Sequence, residues 1–242
     1  MKKGLFIIAA FACISFSVLF SSCGPPLPGK VVTENRAVTS FNAIVVDAAV
    51  NCKVQVEPGA QTSVQIYGPV NYNKMIQAEV QDNTLRIYNK EDFRVDWSDE
   101  VVVKVTVPSL VSIDMSGAGT TEIKGQISGT KLSTDVSGVG KLTIADVTVD
   151  SLDANVSGAG VLRINNGHTK YGCYDLSGAG TIDAFGITHD QAAAAVSGAG
   201  SINVTATQTL STEISGVGNI RYKGHPNLTS ENDGVGTVKD AN

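Results

Sequence analysis

The sequence is poor in the residues on which metal and nucleophile chemistry most often depends. Its 242 residues include four cysteines, three histidines and one tryptophan. No CxxC or Cys/His pattern has the spacing of zinc ligands, and no pair among His168, His189 and His225 has metal spacing. A P-loop is lacking too, because Asp135 stands where that motif would need glycine ahead of Gly138-Val-Gly-Lys. The common signatures of zinc and nucleotide sites are therefore excluded.

Basic residues are outnumbered by acidic ones. Lys and Arg total 18 against 23 Asp and Glu, which gives a formal net charge of −5 at pH 7. Binding to nucleic acid depends on neutralising phosphates with Lys and Arg, so this balance argues against a nucleic-acid partner. It also argues against a basic membrane-binding face.

The first 23 residues are typical of a bacterial lipoprotein precursor. Two lysines precede an apolar run from Leu5 to Phe20, which is shorter than the roughly 20 residues that span a membrane. Phe20-Ser-Ser-Cys23 then resembles a lipobox, the site of cleavage and lipidation. We expect a signal peptide over 1–22 and an acylated Cys23; the alternative is an uncleaved anchor helix. The lipid would hold the protein on the outer membrane, on its periplasmic or its surface face.

A flexible tether is expected after the signal peptide, over residues 23–36. Gly24-Pro-Pro-Leu-Pro-Gly29 cannot form a helix and has few side chains to build a core. Further on, Cys52 lies in phase with Val50 and Val54, which predicts a buried thiol. The other remaining cysteine is Cys173, and a disulfide between the two stays open in an oxidising compartment.

Residues 37–110 predict strands and turns with little helix. Apolar residues alternate or run together at strand length in five segments: Ala43–Asp47, Val50–Val56, Ser63–Tyr67, Thr84–Tyr88 and Val101–Val107. Pro58-Gly59 is a turn signal. The ambiguous stretch is Val70–Val80, where Met75, Ile76 and Val80 predict a short helix across one end of the core.

The dominant feature of the chain is a Ser-Gly-x-Gly motif that occurs seven times. The copies start at Ser116, Ser137, Ser157, Ser177, Ser197, Ser215 and, in a decayed form, Asp233. Successive starts are 18–21 residues apart, a period typical of a solenoid with one rung per repeat. Apolar residues before the serine and after the second glycine indicate that one strand enters the turn and another leaves it.

These repeats predict an all-β fold, a parallel β-helix with rungs of about 18–21 residues. We expect one domain over 37–242, less regular in 37–110 and built of repeats in 111–242. The alternative is a β-meander or propeller, although propeller blades are about twice as long. Glycine at each corner would let adjacent rungs approach closely. The small apolar residue inside each corner is expected to point inward: Ala118, Val139, Ala159, Ala179, Ala199 and Val217.

One candidate site is a largely acidic stripe two residues before each serine. It comprises Asp114, Asp135, Asn155, Asp175, Ala195 and Glu213. Stacked carboxylates repel unless a cation, hydrogen bonds or water intervene, so the stripe is a candidate for calcium or for a basic ligand. The alternative is an exposed stripe whose side chains bond the turn backbone. The serines share no histidine, which argues against a nucleophile among them.

The other candidate site is the segment from Asn89 to Glu100, which holds the only tryptophan of the chain. Phe93, Arg94 and Trp97 form a candidate ligand loop, a stacking platform for a sugar ring. The alternative is a polar hairpin loop whose aromatic side chains fold over a sheet edge. Neither site predicts a cofactor.

Three motifs together resemble a known family. They are the repeated Ser-Gly-Ala/Val-Gly with its following aliphatic strand, Gly216–Pro226 and Gly234–Lys239. Over about residues 38–239 the chain is similar to bacterial envelope proteins described as putative autotransporter adhesins with a head GIN domain. The resemblance implies a right-handed β-helix in a surface or periplasmic lipoprotein, and it carries over no catalytic residues.

The expected function is therefore a non-enzymatic envelope lipoprotein that serves adhesion or binding. Its expected partners are the membrane, through the lipid, and a surface glycan or protein. A second hypothesis is a carbohydrate-binding or polysaccharide-cleaving protein that uses the 89–100 loop. A third is a structural component that forms oligomers by end-to-end stacking, because an uncapped rung is an unpaired strand edge.

Overall fold

The computed structural model describes residues 29–90 and 101–242 of the chain. Three sequence predictions fall on other residues and lie outside the described ones. These are the signal peptide, the lipidated Cys23, and the candidate ligand loop with Phe93, Arg94 and Trp97. Within the described residues, no helix has the length and apolar character needed to cross a membrane.

Strands dominate both parts of the described chain. The N-terminal part consists of β1 (Val31–Arg36), β2 (Ala43–Asp47), β3 (Asn51–Val56), β4 (Ser63–Pro69), α1 (Val70–Asn73), β5 (Ile76–Gln81), β6 (Thr84–Asn89) and β7 (Val102–Val107). The repeats consist of β8 (Ser112–Met115), β9 (Thr120–Val136), β10 (Lys141–Val156), β11 (Val161–Ile164), β12 (Gly167–Leu176), β13 (Thr181–Val196), β14 (Ala199–Ile214), β15 (Val217–Lys223), β16 (Asn227–Asn232) and β17 (Val235–Asp240).

The repeats stack as a β-solenoid of about six turns, which confirms the predicted fold. From β9 onward each rung pairs in parallel with the next, and the register places equivalent residues of successive repeats opposite one another. Leu142 lies opposite Leu162, which in turn lies opposite Ile182. The repeat is therefore the unit of stacking, and each rung hydrogen-bonds through its backbone to its neighbours.

The core lies inside the solenoid and is built from the alternate residues that point inward. In β10, Leu142, Ile144, Leu152 and Val156 are completely buried. Burying one such side chain contributes about 1.5–3 kcal/mol, and equivalent positions are filled in each rung, so hydrophobic burial stabilises the whole stack.

The N-terminal part closes one end of the solenoid with antiparallel strands. β4 pairs antiparallel with both β1 and β7, and β5 pairs antiparallel with β6. β1 lies inside the segment that the sequence predicted to be tether. The ordered sheet therefore begins at Val31 and not at residue 37, because backbone pairing along β4 holds these residues in place.

The short helix predicted over Val70–Val80 is mostly wrong. Only α1 is helical, and Ile76 and Val80 belong to strand β5. The reason is a two-residue turn between β5 and β6 formed by Asp82 and Asn83, whose φ values are 50° and 60°. Such positive φ angles match the twist of a hairpin, and Asp and Asn tolerate them well.

The prediction for the small residue inside each corner is also wrong. This residue is exposed in every repeat, with Val139 at 68% and Val217 at 60%. The two glycines determine its direction. A Cβ atom on Gly158 would collide with the carbonyl oxygen of Gly138 on the preceding rung, and one on Gly160 would collide with the Val136 side chain. Because both glycines face neighbouring atoms, the residue between them faces solvent.

The two cysteines of the described chain are free thiols on opposite sides of the sheet. Cys52 is buried in β3, as predicted, and burial raises its pKa to about 12. Cys173 is exposed on β12. One thiol points into the core and the other to the outside, so the alternative of a disulfide between them is not what the structure shows.

Candidate functional site

The acidic stripe forms a straight outward row along the solenoid, as its spacing predicted. Asp114 lies opposite Asp135, and the pairing continues through Asn155, Asp175, Ala195 and Glu213 to Glu231 on the last rung. Parallel strands lie about 4.8 Å apart, so consecutive carboxylates along the row are near neighbours. The stripe therefore crosses the repeats as one row, in which the neutral Asn155 and Ala195 separate the carboxylates.

Electrostatic repulsion concentrates at the first rungs of the stripe. Burial, followed by the charges of Asp135 and Asp47, raises the pKa of Asp114, and the charge of Arg86 opposes this. Burial also raises the pKa of Asp135. One carboxylate oxygen of Asp114, Oδ1, is buried and has no hydrogen-bond partner among the described residues. The desolvated, like-charged Asp114 is therefore the least favourable carboxylate of the row.

Only part of this charge is compensated. Arg86 Nη2 lies 3.3 Å from Asp47 Oδ2, and the Ser116 hydroxyl donates to Asp47 Oδ1 at 3.1 Å. Across residues 29–90 and 101–242, no group of three or more His, Cys, Asp or Glu side chains has the arrangement to hold a metal ion. The single-file geometry explains this, because one ion beside a straight row meets few carboxylates at once.

A depression that we call the surface trough lies beside the stripe, on the same outward face of β12, β13, β14 and β16. It is a cavity of about 450 Å³. One wall carries Tyr171, Gln191, Thr209 and Asn227, and the floor carries Cys173, Ala193, Ser211 and Thr229. A smaller cavity of about 110 Å³ continues it toward Asp175, Ala195 and Glu213 of the stripe.

A polar cluster lies inside the solenoid directly beneath this part of the surface. His189 is completely buried; its Nδ1 lies 2.6 Å from the Thr169 hydroxyl and its Nε2 lies 2.7 Å from the Tyr174 hydroxyl. A neutral imidazole has one donor and one acceptor, so both ring nitrogens are satisfied. Burial, followed by the charge of His168, lowers the pKa of His189 to about 4. The cluster is neutral at physiological pH and fills the core.

The strand that follows each corner carries an outward row of mixed charge. Arg163, Arg221 and Lys239 lie along it together with Asp183 and Asn203, and Arg163 Nη2 lies 3.1 Å from Asp183 Oδ2. Lys223 Nζ lies 4.8 Å from the centre of the Phe185 ring. On the same face, Lys104 lies 5.6 Å from the ring of Tyr67. The surfaces before and after the corner therefore differ in charge.

The sequence placed the acidic stripe but missed both the trough and the buried histidine. The sequence pattern around His189 was considered only for metal ligands, whereas this residue lies within β13 and points inward. The residues that line the core nevertheless contain an indication that a buried side chain such as His189 is present. Gly172 and Ala192 occupy the inward position that Leu132 and Leu152 fill in earlier rungs. Two small residues in succession at a core position indicate that another side chain fills the space.

The comparisons with known proteins agree with this architecture. Residues 40–226 match the family described as putative auto-transporter adhesin, head GIN domain. The chain belongs to this family. The match covers most of the solenoid, including strands β2 to β7, which lack the Ser-Gly-x-Gly repeat.

Solved structures of the same architecture include two described as putative adhesins. One, from Bacteroides fragilis NCTC 9343, is 29% identical, with a TM-score of 0.84 over 88% of this chain and 98% of that one. The other, from Parabacteroides distasonis ATCC 8503, is 26% identical, with a TM-score of 0.70 over the same shares. No curated protein sequence matches the chain.

A third structure shares the fold alone. It is described as a putative lipid binding protein from Parabacteroides distasonis ATCC 8503, and it is 18% identical. Its TM-score is 0.67, over 88% of this chain and 98% of that one.

Proposed function

We propose that the protein is a non-enzymatic binding module of the bacterial cell envelope. The observation that carries the proposal is the register of the repeats, which aligns equivalent outward residues of successive rungs into long straight rows. Such a surface offers similar contacts at regular spacing along an extended partner. Weak contacts that act together give strong overall binding without a deep pocket.

Membership of an adhesin-like family supports the same proposal. Catalysis needs several different groups to converge on one reacting atom. At the corners the repeats instead present the same group on successive rungs, because the serine recurs there with an exposed side chain. The face is organised for contact over a length, which is what adhesion requires.

A lipid at Cys23 would hold this module close to a membrane. The ordered sheet begins at Val31, so at most eight residue steps separate it from the acylated cysteine. A fully extended chain of that length reaches roughly 28 Å. Such a tether would be shorter than the 23–36 segment predicted from the sequence, and the antiparallel end of the solenoid would lie nearest the membrane.

Two measurements test this proposal. Metabolic labelling with a palmitate analogue should mark the full chain and fail to mark a Cys23→Ala variant. Cells producing the full chain should attach to a glycoprotein-coated surface better than cells without it, and the Cys23→Ala variant should lose that advantage. Labelling that is indifferent to Cys23 removes the anchor, and equal attachment by all three strains removes the adhesion role.

A further inference from the structure

The surface trough has walls and a floor of unlike chemistry, which sets it apart from the regular rows around it. Its wall begins with Tyr171, whose side chain is 54% exposed. The tyrosine hydroxyl makes no hydrogen bond within the described residues. A large aromatic ring held in water without a partner presents an apolar surface on which a ligand can stack.

Hydrogen-bonding side chains continue the same wall. Gln191, Thr209 and Asn227 follow Tyr171 on successive rungs, and all three are exposed. Each amide carries donors and an acceptor, and a hydroxyl does both. The wall from Tyr171 to Asn227 covers three strand spacings, roughly 14 Å, which suits a short oligosaccharide lying along the solenoid axis.

The floor is low because its side chains are short. Cys173, Ala193 and Ser211 occupy the outward row next to the wall. The stripe beyond them is interrupted at Ala195, between Asp175 and Glu213. The larger and the smaller cavity share these three floor residues, and the smaller cavity reaches the stripe at Ala195, where an acidic side chain is missing.

The charge of the lining restricts the ligand. Among the described residues, no Lys, Arg or His lines either cavity, and Asp175 and Glu213 stand at the far side. Carboxylates accept hydrogen bonds from sugar hydroxyls, but they repel uronic acids and sulfate groups. The lining thus favours a neutral glycan over an acidic one.

From these observations we infer that the surface trough binds a neutral, linear glycan whose sugar rings stack on Tyr171. The inference rests on the proposed binding function and adds the ligand class and the location of its site. The amides and hydroxyl of the wall contact the sugar hydroxyls from one side, and the two carboxylates accept from the other.

Calorimetric titration of the full chain with cello-oligosaccharides and chitin oligosaccharides tests the inference, with polygalacturonic acid as the acidic comparison. One of the neutral glycans should bind, and the polyacid should not. Tyr171→Ala should weaken binding roughly tenfold, the value of one aromatic contact. Ala193→Gln should weaken it as well, because the longer side chain fills the floor without changing charge.

Tyr67→Ala is the matched control, since Tyr67 is 43% exposed but lies outside the trough, beside Lys104. It should leave glycan binding unchanged. Preference for the polyacid, absence of neutral glycan binding, or equal binding by the wild type and Tyr171→Ala would overturn the inference. So would capture of a cationic peptide in place of sugar. Attachment of cells that is unaffected by Tyr171→Ala would refute the trough alone and leave the wider binding function standing.

Discussion

His189 and Tyr174 form a hydrogen bond of 2.7 Å between Nε2 and the phenol oxygen, with both side chains buried inside the solenoid. The rings meet edge to face, with centroids 5.4 Å apart and an angle of 66° between their planes. Together with the Thr169 hydroxyl, they place a polar, titratable group in a core that is otherwise almost entirely apolar. The cost of charging that group makes the stability of the fold dependent on pH.

Acid should destabilise the protein through His189. Its folded-state pKa is about 4, below its ordinary value of 6.5, because burial disfavours the imidazolium. The unfolded state therefore binds a proton first as the pH falls. The contribution of the neutral imidazole is complete above pH 6.5 and is lost between pH 6.5 and 4, a total of about 3 kcal/mol.

Urea unfolding at several pH values measures this effect. The free energy of unfolding should fall between pH 6.5 and 4, and a His189→Gln variant should show a smaller fall. The raised pKa values of Asp114 and Asp135 act in the opposite sense, because the folded state binds their protons more readily. An equal slope in the wild type and His189→Gln would assign the pH dependence to other groups.

Gly172 should tolerate no larger residue while His189 is present. A Cβ atom at this position would lie 2.7 Å from His189 Nδ1. Gly172→Ala should therefore destabilise the protein by about 1–3 kcal/mol, as overpacking of a core does. Its thermal unfolding midpoint should fall by several degrees relative to the wild type.

A double variant separates this contact from a general effect of the substitution. Removal of the ring in Gly172→Ala/His189→Ala should make the alanine at position 172 cost less than it does in the wild type. The coupling energy is read from a double-mutant cycle. Strictly additive effects would show that the two sites do not compete for the same space.

The corner glycines should be far more sensitive to substitution than the residue between them. Gly158→Ala should destabilise the protein by at least about 2 kcal/mol, because its Cβ would collide with backbone of the preceding rung. Ala159→Val is the matched control, since valine occupies the equivalent exposed position at Val139 and Val217. Its effect should stay within about 0.5 kcal/mol. Similar losses in both variants would contradict the close approach of rungs at the corner.

Removal of one carboxylate from the first rungs should stabilise the solenoid at neutral pH. Asp114 is desolvated and faces Asp135 and Asp47, so Asp114→Asn removes a repulsion that the nearby Arg86 only partly offsets. The thermal midpoint should rise, and the rise should shrink at high salt because salt screens the charges. Asp175→Asn is the control, since its neighbours on the row are Asn155 and Ala195. A lower midpoint for Asp114→Asn would indicate that this carboxylate stabilises the fold.

The repeated corners made the solenoid predictable. A motif that recurs every 18–21 residues specifies both the rung length and the register. The positions of the inward rows and of the acidic stripe can therefore be read from the sequence. The outward orientation of the Val139 side chain could not be predicted from the repeat alone, because it depends on which atoms of the neighbouring rung face the corner. The hairpin at Asp82 and Asn83 was missed because a two-residue turn without glycine gives a weak signal.

The functional surface was less predictable than the fold for a physical reason. A depression such as the trough arises from residues on several rungs, and its shape depends on short side chains next to long ones. Tyr171, Ala193 and Asn227 are unremarkable singly and become neighbours only through the register of β12, β13, β14 and β16. His189 was missed for a similar reason, because its partners lie 15 and 20 positions away in the sequence.

The central claim is that the solenoid works as a binding module displayed on the cell envelope. Protease treatment of intact cells producing the full chain tests this most directly, with the same treatment of lysed cells as the control. The account predicts that protease removes the protein from intact cells while a periplasmic marker survives. Complete protection on intact cells, together with digestion after lysis, would contradict a role in adhesion.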